Sequence, residues 1–203
     1  ETNFDMNQLV INAFPANREP SWVAQWRQDP QKSQIKVTDL MFMKSGLDIE
    51  DDYGPQGKVV QMLYGEPSMA GFAASQPMAH APGTSWGYST GSSDIISQIA
   101  QGMFPDDQAY WQYWQKSVFE PIGVNSGTFA TDTLGTWVGG SYVWANTGDW
   151  AKLGQLMLND GAWNSQQVIP KGWWKLAGTP AMPDGEGHGY GAQTWIPGQP
   201  VGG

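Results

Sequence analysis

"HAPGTSWGYSTGSSDIISQIA", residues 80–100, is the stretch on which the reading of this chain turns. Tyr88 stands on a Pro/Gly/Ser/Thr turn immediately ahead of a helical pattern. Tyrosines ordinarily fill cores or interfaces. One lifted onto a turn at a helix start is either an ordinary loop aromatic or a group aimed at something. After the turn, Ser92 or Ser93 is placed to cap a helix carrying Ile95, Ile96, Ile99 and Met103, and Pro105 closes it.

Upstream, Thr38 is placed to cap a helix "DLMFMK" that Gly46 ends. "LDIEDDYGP" then reads as an acidic turn, "QGKVVQMLYG" as a helix with Val59, Val60 and Leu63 on one side, and "SMAGFAAS" as a third helix. Pro77 and Pro82-Gly83 interrupt the helical run. Downstream, Asp106 and Asp107 favour the start of "QAYWQYWQKSVFE". "GTWVGGSYVWA" is rich in β-branched and aromatic residues and reads as a strand, weakened by its glycines. Thr147 and Asp149 begin an amphipathic helix whose stripe is Trp150, Leu153, Leu156 and Met157, ended at Gly161. "PKGWWKLA" reads as a short helix starting at Pro170, and "GYGAQTWIP" as a strand. Helices should therefore dominate residues 37–120, with strand only near 137–144 and 190–196.

The bulk numbers narrow the classes. With 203 residues, 40% hydrophobic and 14% charged, the chain is globular rather than disordered. A net charge of −9, with ten scattered Lys and Arg, excludes a nucleic-acid partner that needs a basic patch. No apolar run reaches membrane-spanning length. The absence of cysteine removes disulfides, thiolate metal sites and a cysteine nucleophile together and is compatible with an exported bacterial protein; a periplasmic or secreted location is expected over a cytoplasmic one. Twelve tryptophans read either as packing aromatics or as stacking platforms of a carbohydrate- or ligand-binding module.

Several patterns look chemical and are set aside. The cluster Asp48, Glu50, Asp51, Asp52 lacks the alternating loop that wraps calcium and reads as a solvated turn. His80 and His188 lie far apart with no carboxylate pattern, so no metal and no cofactor is expected. A literal S-x-x-K, "SQIK" at 33–36, would set Ser and Lys on adjacent turns of one helix, but Pro30 and its β-branched company give it no helix. "SSDI" approaches an S-D-N triplet and misses at Ile95.

In order along the chain, the segments resemble the β-lactamase-related serine hydrolases. That is the class C β-lactamase and penicillin-binding-protein-like group, with its esterase and 6-aminohexanoate-dimer hydrolase branch. "IKVTDLMFMKSGLDIEDDY" is similar to the family's capped helix and "SGL" turn, and "PGTSWGYSTGSSDIIS" to the stretch holding its catalytic tyrosine. "VFEPIGV" resembles its "PLGM" element. "GGSYVWANTGDWAKLGQLMLNDGAW", "VIP" and a following Trp resemble its glycine strand and next helix.

The resemblance implies an α+β, β-lactamase/transpeptidase-like fold, with residues 37–135 mainly in the helical subdomain and 136–203 returning into the α/β subdomain. It implies a small-molecule ester or amide substrate cleaved through an acyl-enzyme, with Tyr88 passing the proton. Tyr53, Thr90 and Gly139 would line the substrate site. Thr90 stands where the β-lactamases of this group carry Asn, which points to the esterase and amidase branch. The family's nucleophilic Ser-x-x-Lys is expected ahead of "FDMNQLV", and its His/Lys-x-Gly strand after Gly203. Residues 1–203 are thus expected to be an internal part of one domain, inert alone and partnered by the rest of it. A ligand-binding module or an inactive relative is the alternative.

Overall fold

The computed structural model describes residues 4–182 and 189–196. Nine α-helices carry this part of the chain. They are α1 Ser21–Gln28, α2 Val37–Met41, α3 Lys58–Gly65, α4 Met69–Ser75, α5 Thr90–Gly102, α6 Asp107–Trp114, α7 Glu120–Ile122, α8 Thr147–Leu158 and α9 Trp173–Ala177. A wide π turn over Gln115–Phe119 carries α6 into α7. Two small antiparallel pairs complete the α+β fold: β1 Thr128–Phe129 with β2 Val143–Trp144, and β3 Ala162–Trp163 with β4 Gln166–Gln167. Among the described residues no helix is long and apolar enough to cross a membrane.

Helix α5 is the axis of the molecule. Its Ile95 and Ile99 are buried in one cluster with Trp22, Trp26, Ile35, Leu40, Ile49, Val59 and Met62. α4 lies along it through Ala70, Ala73 and Ala74, all buried. The approach is close enough that a Cβ on Gly91 would stand 2.8 Å from the Ala73 methyl. Burying such apolar area is the main stabilising term here. A smaller cluster of Ile122, Val124 and Leu156 joins α7 to α8.

The starts of the helices differ from expectation in instructive ways. α2 is preceded by Lys36, and it is the Asp39 carboxylate, not Thr38, that accepts the orphan Lys36 N–H at 2.9 Å. α5 begins earlier than Ser92, because Ser89 is the cap and accepts the Ser92 N–H at 3.1 Å. Serine at either place satisfies the same need, and moving the cap brings the helix start to within two residues of Tyr88. Ser68, Asp106 and Asn146 cap α4, α6 and α8 in the same way. Pro170 does not open α9. It makes a turn, with its carbonyl accepting the Trp173 N–H, and Gly172 at φ 82° leads into the helix.

The strand expected at 190–196 is instead a tight turn with one bridge, Tyr190 to Trp195. Its backbone bonds to helices and not to a neighbouring strand. Gln193, at φ 54°, donates its N–H to the Met41 carbonyl, and Gly191 packs where a Cβ would lie 1.8 Å from the Ala177 oxygen. Near 137–144 only β2 is regular, because the chain leaves its partner strand at Gly139 and Gly140 to press on α5. The stripe expected on α8 is only partly used. Leu156 is buried, whereas Trp150 and Met157 are 47% and 43% exposed.

Candidate active site

The Tyr88 turn and the acidic turn lie side by side. Gly46, at φ 76° and against the His80 carbonyl, lets the chain after α2 double back. Gly87 lets the Glu50 side chain lie against the Tyr88 turn, since a Cβ there would stand 2.5 Å from its carboxylate. Two backbone bonds fix the register: Gly87 N–H to the Met43 oxygen and Asp51 N–H to the Tyr88 oxygen, each 3.0 Å.

Asp51 ties the arrangement together. Its carboxylate accepts the Thr90 N–H at 2.8 Å, the Thr90 hydroxyl at 2.6 Å and the Tyr53 hydroxyl at 3.1 Å. Three donors on one carboxylate, one of them the first N–H of a helix, make a strong, charge-assisted anchor. Of the residues singled out from sequence, Tyr53, Thr90 and Tyr88 are therefore brought together, and Asp51 is the residue that joins them. Asp51 itself was read only as one member of a solvated acidic cluster. Thr90 is buried, with its hydroxyl committed to Asp51, while Tyr53 is 68% exposed.

Gly139 lies apart from this group. It packs on the middle of α5, where a Cβ would be 2.0 Å from the Ser97 Oγ; its neighbour Gly140 is the one that packs on Thr90, where a Cβ would be 2.5 Å from Cγ2. Beneath the two glycines lies Asp94, 2% exposed and without a hydrogen-bonding partner for either oxygen. The Gly139 and Gly140 amides face it without reaching hydrogen-bond geometry. Burial pushes its carboxyl up to about 7, Asp132 and Asp51 push the same way, and the two amides oppose them.

The Tyr88 ring is half-buried in an aromatic cage. It stacks on Trp195 at 5.3 Å and 29° and meets Tyr190 edge-on at 5.7 Å. The 189–196 turn that delivers both partners is clasped by Gln193, which accepts the Ser93 hydroxyl at 2.7 Å and donates to the Leu40 and Met41 carbonyls. Burial raises the Tyr88 hydroxyl above its ordinary value. The Asp51 charge raises it further, and the Trp195 indole works against both. Among the described residues no lysine acts on it. Tyr53 is raised as well, by burial first and then by Asp51.

The remaining sequence candidates do not converge on this place. Ser33 lies on the short turn Lys32–Gln34, with its Oγ accepting from Gln34 rather than from Lys36. His80 is exposed, and His188 lies outside the described residues. Among the described residues no group of three His, Asp or Glu side chains gathers as metal ligands.

The β-lactamase family profile matches residues 3–203. Among solved structures, a candidate 6-aminohexanoate-dimer hydrolase from Bacillus anthracis superposes with a TM-score of 0.74 at 18% identity, covering 97% of this chain and 53% of its own. A candidate β-lactamase from Bacteroides dorei gives 0.63 at 16% identity, over 95% of this chain and 67% of its own. A D-stereospecific amidohydrolase from Streptomyces gives 0.59 at 14%, over 94% and 63%. The chain spans about half the length of the first of these (53%), and at such identities the likeness is one of fold. No curated protein matches it.

Proposed function

The chain belongs to the β-lactamase family, and from that premise we propose that it is part of a serine hydrolase that cleaves esters or amides through an acyl-enzyme. The observation that carries this reading is the Asp51 anchor, which holds the Tyr88 turn and the exposed Tyr53 on one side of the helix α5 start. A serine hydroxyl from a Ser-x-x-Lys segment outside residues 1–203 attacks the substrate carbonyl. Its proton passes through the lysine and Tyr88 to the leaving oxygen or nitrogen as the carbonyl–leaving-group bond breaks. Water then cleaves the acyl-enzyme by the reverse proton path.

Tyr88 alone is a poor base. Burial and the Asp51 charge both favour its neutral form. A lysine ammonium beside it would favour the phenolate, so the pair works where the phenol by itself does not. Asp51 is a positioning residue that fixes the backbone of Tyr88. Tyr53 lines the substrate cleft. With Thr90 committed to Asp51 and standing where Asn contacts the drug in β-lactamases, β-lactam hydrolysis is not expected. The exposed Trp150, Met157 and Leu158 of α8 are the face offered to the rest of the domain.

A ligand-binding module is the second reading, favoured by one observation, the near-parallel pair of the half-buried Tyr142 and the exposed Trp144. Assay of the full-length protein against p-nitrophenyl esters, a fluorophosphonate probe and a sugar panel separates the two. Ester turnover with stoichiometric labelling of a serine supports the hydrolase. Sugar binding without turnover or labelling overturns it. Residues 1–203 by themselves should not label, because nucleophile, base and oxyanion donors act as a unit. Labelling of Ser33 would contradict that.

A further inference from the structure

Beyond Tyr53 the anchor continues into an aromatic patch, in which Tyr64 and Trp144 are exposed and Tyr142 is half-buried against the core. Gly140, pressed on Thr90, leads directly to Tyr142 and Trp144. These two rings are nearly parallel, 13° apart with centroids at 5.7 Å. Tyr64, on the helix that follows the acidic turn, closes the patch with its hydroxyl 2.6 Å from that of Tyr142. Tyr53, Tyr64 and Trp144 are 68%, 75% and 54% exposed, among the largest exposures of any apolar side chain described.

The patch is built rather than incidental. Tyr142 holds φ 62°, a left-handed conformation that a bulky residue adopts only where its surroundings enforce it, and such strain gathers at ligand-binding positions. Here the enforcement is visible. Val138 accepts the Ser141 N–H to close the glycine turn, the Tyr142 carbonyl accepts from Ala130, and Val143–Trp144 pairs with Thr128–Phe129. The Tyr64 and Tyr142 hydroxyls satisfy each other, so what the patch presents is ring face. Desolvation and the Tyr64 bond hold the Tyr142 phenol neutral, pushed up to about 12 with the Tyr64 bond the larger cause. The carboxylates of Asp51 and Asp52 beside Tyr53 disfavour an anionic occupant.

We propose that the Tyr64–Tyr142–Trp144 face is a subsite for a flat, uncharged aryl group on the non-reacting part of the substrate. The proposal rests on the hydrolase reading for its place in turnover, and on the geometry alone for binding. Aryl stacking on an open indole face adds to simple area burial, by about three- to tenfold in affinity.

The test is calorimetric titration of the protein with 2-naphthamide and with its saturated, non-planar counterpart, decahydronaphthalene-2-carboxamide. The planar amide should bind about three- to tenfold more tightly. Trp144→Ala and Trp144→Leu should both abolish that preference, the second because it keeps apolar bulk and loses the plane. Trp150→Ala, at an exposed tryptophan on α8, should leave the preference intact. Equal binding of the two amides, no binding of either, or the same loss in Trp150→Ala overturns the proposal. Vinyl acetate, which carries no aryl group, reads the chemical step separately. Its failure to turn over beside an intact naphthamide preference would remove the hydrolase and leave the subsite standing.

Discussion

Helix α5 meets two carboxylates within its first two turns, one half-buried and one buried, and they are treated oppositely. Asp51 reaches the helix start from a turn 39 residues away and collects three donors. Asp94 belongs to the helix, is nearly sealed from solvent, and collects none. The first arrangement spends a charge where it fixes two tyrosines and a helix N-terminus. The second keeps an acid neutral under the Gly139–Gly140 turn. Burial alone does not decide whether a carboxylate organises a site or strains it; the donors around it do.

That contrast is most sharply tested at Asp94. Its carboxyl keeps its proton in the fold up to about 7, whereas the unfolded chain releases it near 3.9. The unfolded state therefore binds fewer protons between these values, and stability falls as pH rises through that window. Asp94→Asn should stabilise the protein by roughly 2–4 kcal/mol at pH 8, and the gain should vanish below pH 4. Denaturant unfolding at both pH values measures it. A difference independent of pH would show that the fold does not raise the Asp94 carboxyl, and one of opposite pH dependence that the carboxylate is paired.

Asp51→Asn should have the opposite sign and a smaller size. The amide keeps one acceptor oxygen and cannot serve both the Thr90 N–H, now on Oδ1, and the two hydroxyls, now on Oδ2, so a loss of about 1–2 kcal/mol is expected. The midpoint of the Tyr88 phenol should also fall, since Asp51 is one of the groups holding it up. Tyr53 and Tyr190 share its surroundings, so spectrophotometric titration is read against a Tyr88→Phe reference. An unchanged midpoint would detach Asp51 from Tyr88. Gly140→Ala should cost about 1–3 kcal/mol by overpacking, because its Cβ would stand 2.5 Å from Thr90 Cγ2 and 3.1 Å from Thr90 Cα. A neutral result in thermal unfolding would mean that the turn gives way without disturbing α5.

The sequence made the helices α3, α4, α5 and α8 legible, because apolar periodicity and cap residues agreed there. It made Tyr88, Tyr53 and Thr90 legible as a group only through the order of family-like segments. Asp51 was hidden because a run of four acids reads locally as a solvated turn, and its partner Thr90 is a long-range contact that no window sees. The strand expected at 190–196 failed since alternation cannot reveal that the neighbour is a helix carbonyl and not another strand. The β3–β4 hairpin was missed despite a usable signal. Asn164-Ser165 is a two-residue loop with both φ positive, 46° and 67°, between Trp163 and Gln166.

The most direct test of the central claim, that the Asp51-anchored Tyr88 moves the proton during acylation, is the single-turnover acylation rate of the full-length protein with p-nitrophenyl acetate. Tyr88→Phe keeps the ring that stacks on Trp195 and removes only the hydroxyl. The expected result is a fall in that rate of about 10²–10⁴-fold, with thermal stability little changed. A near-normal rate in Tyr88→Phe would contradict the claim and leave Tyr88 as a packing aromatic of its cage.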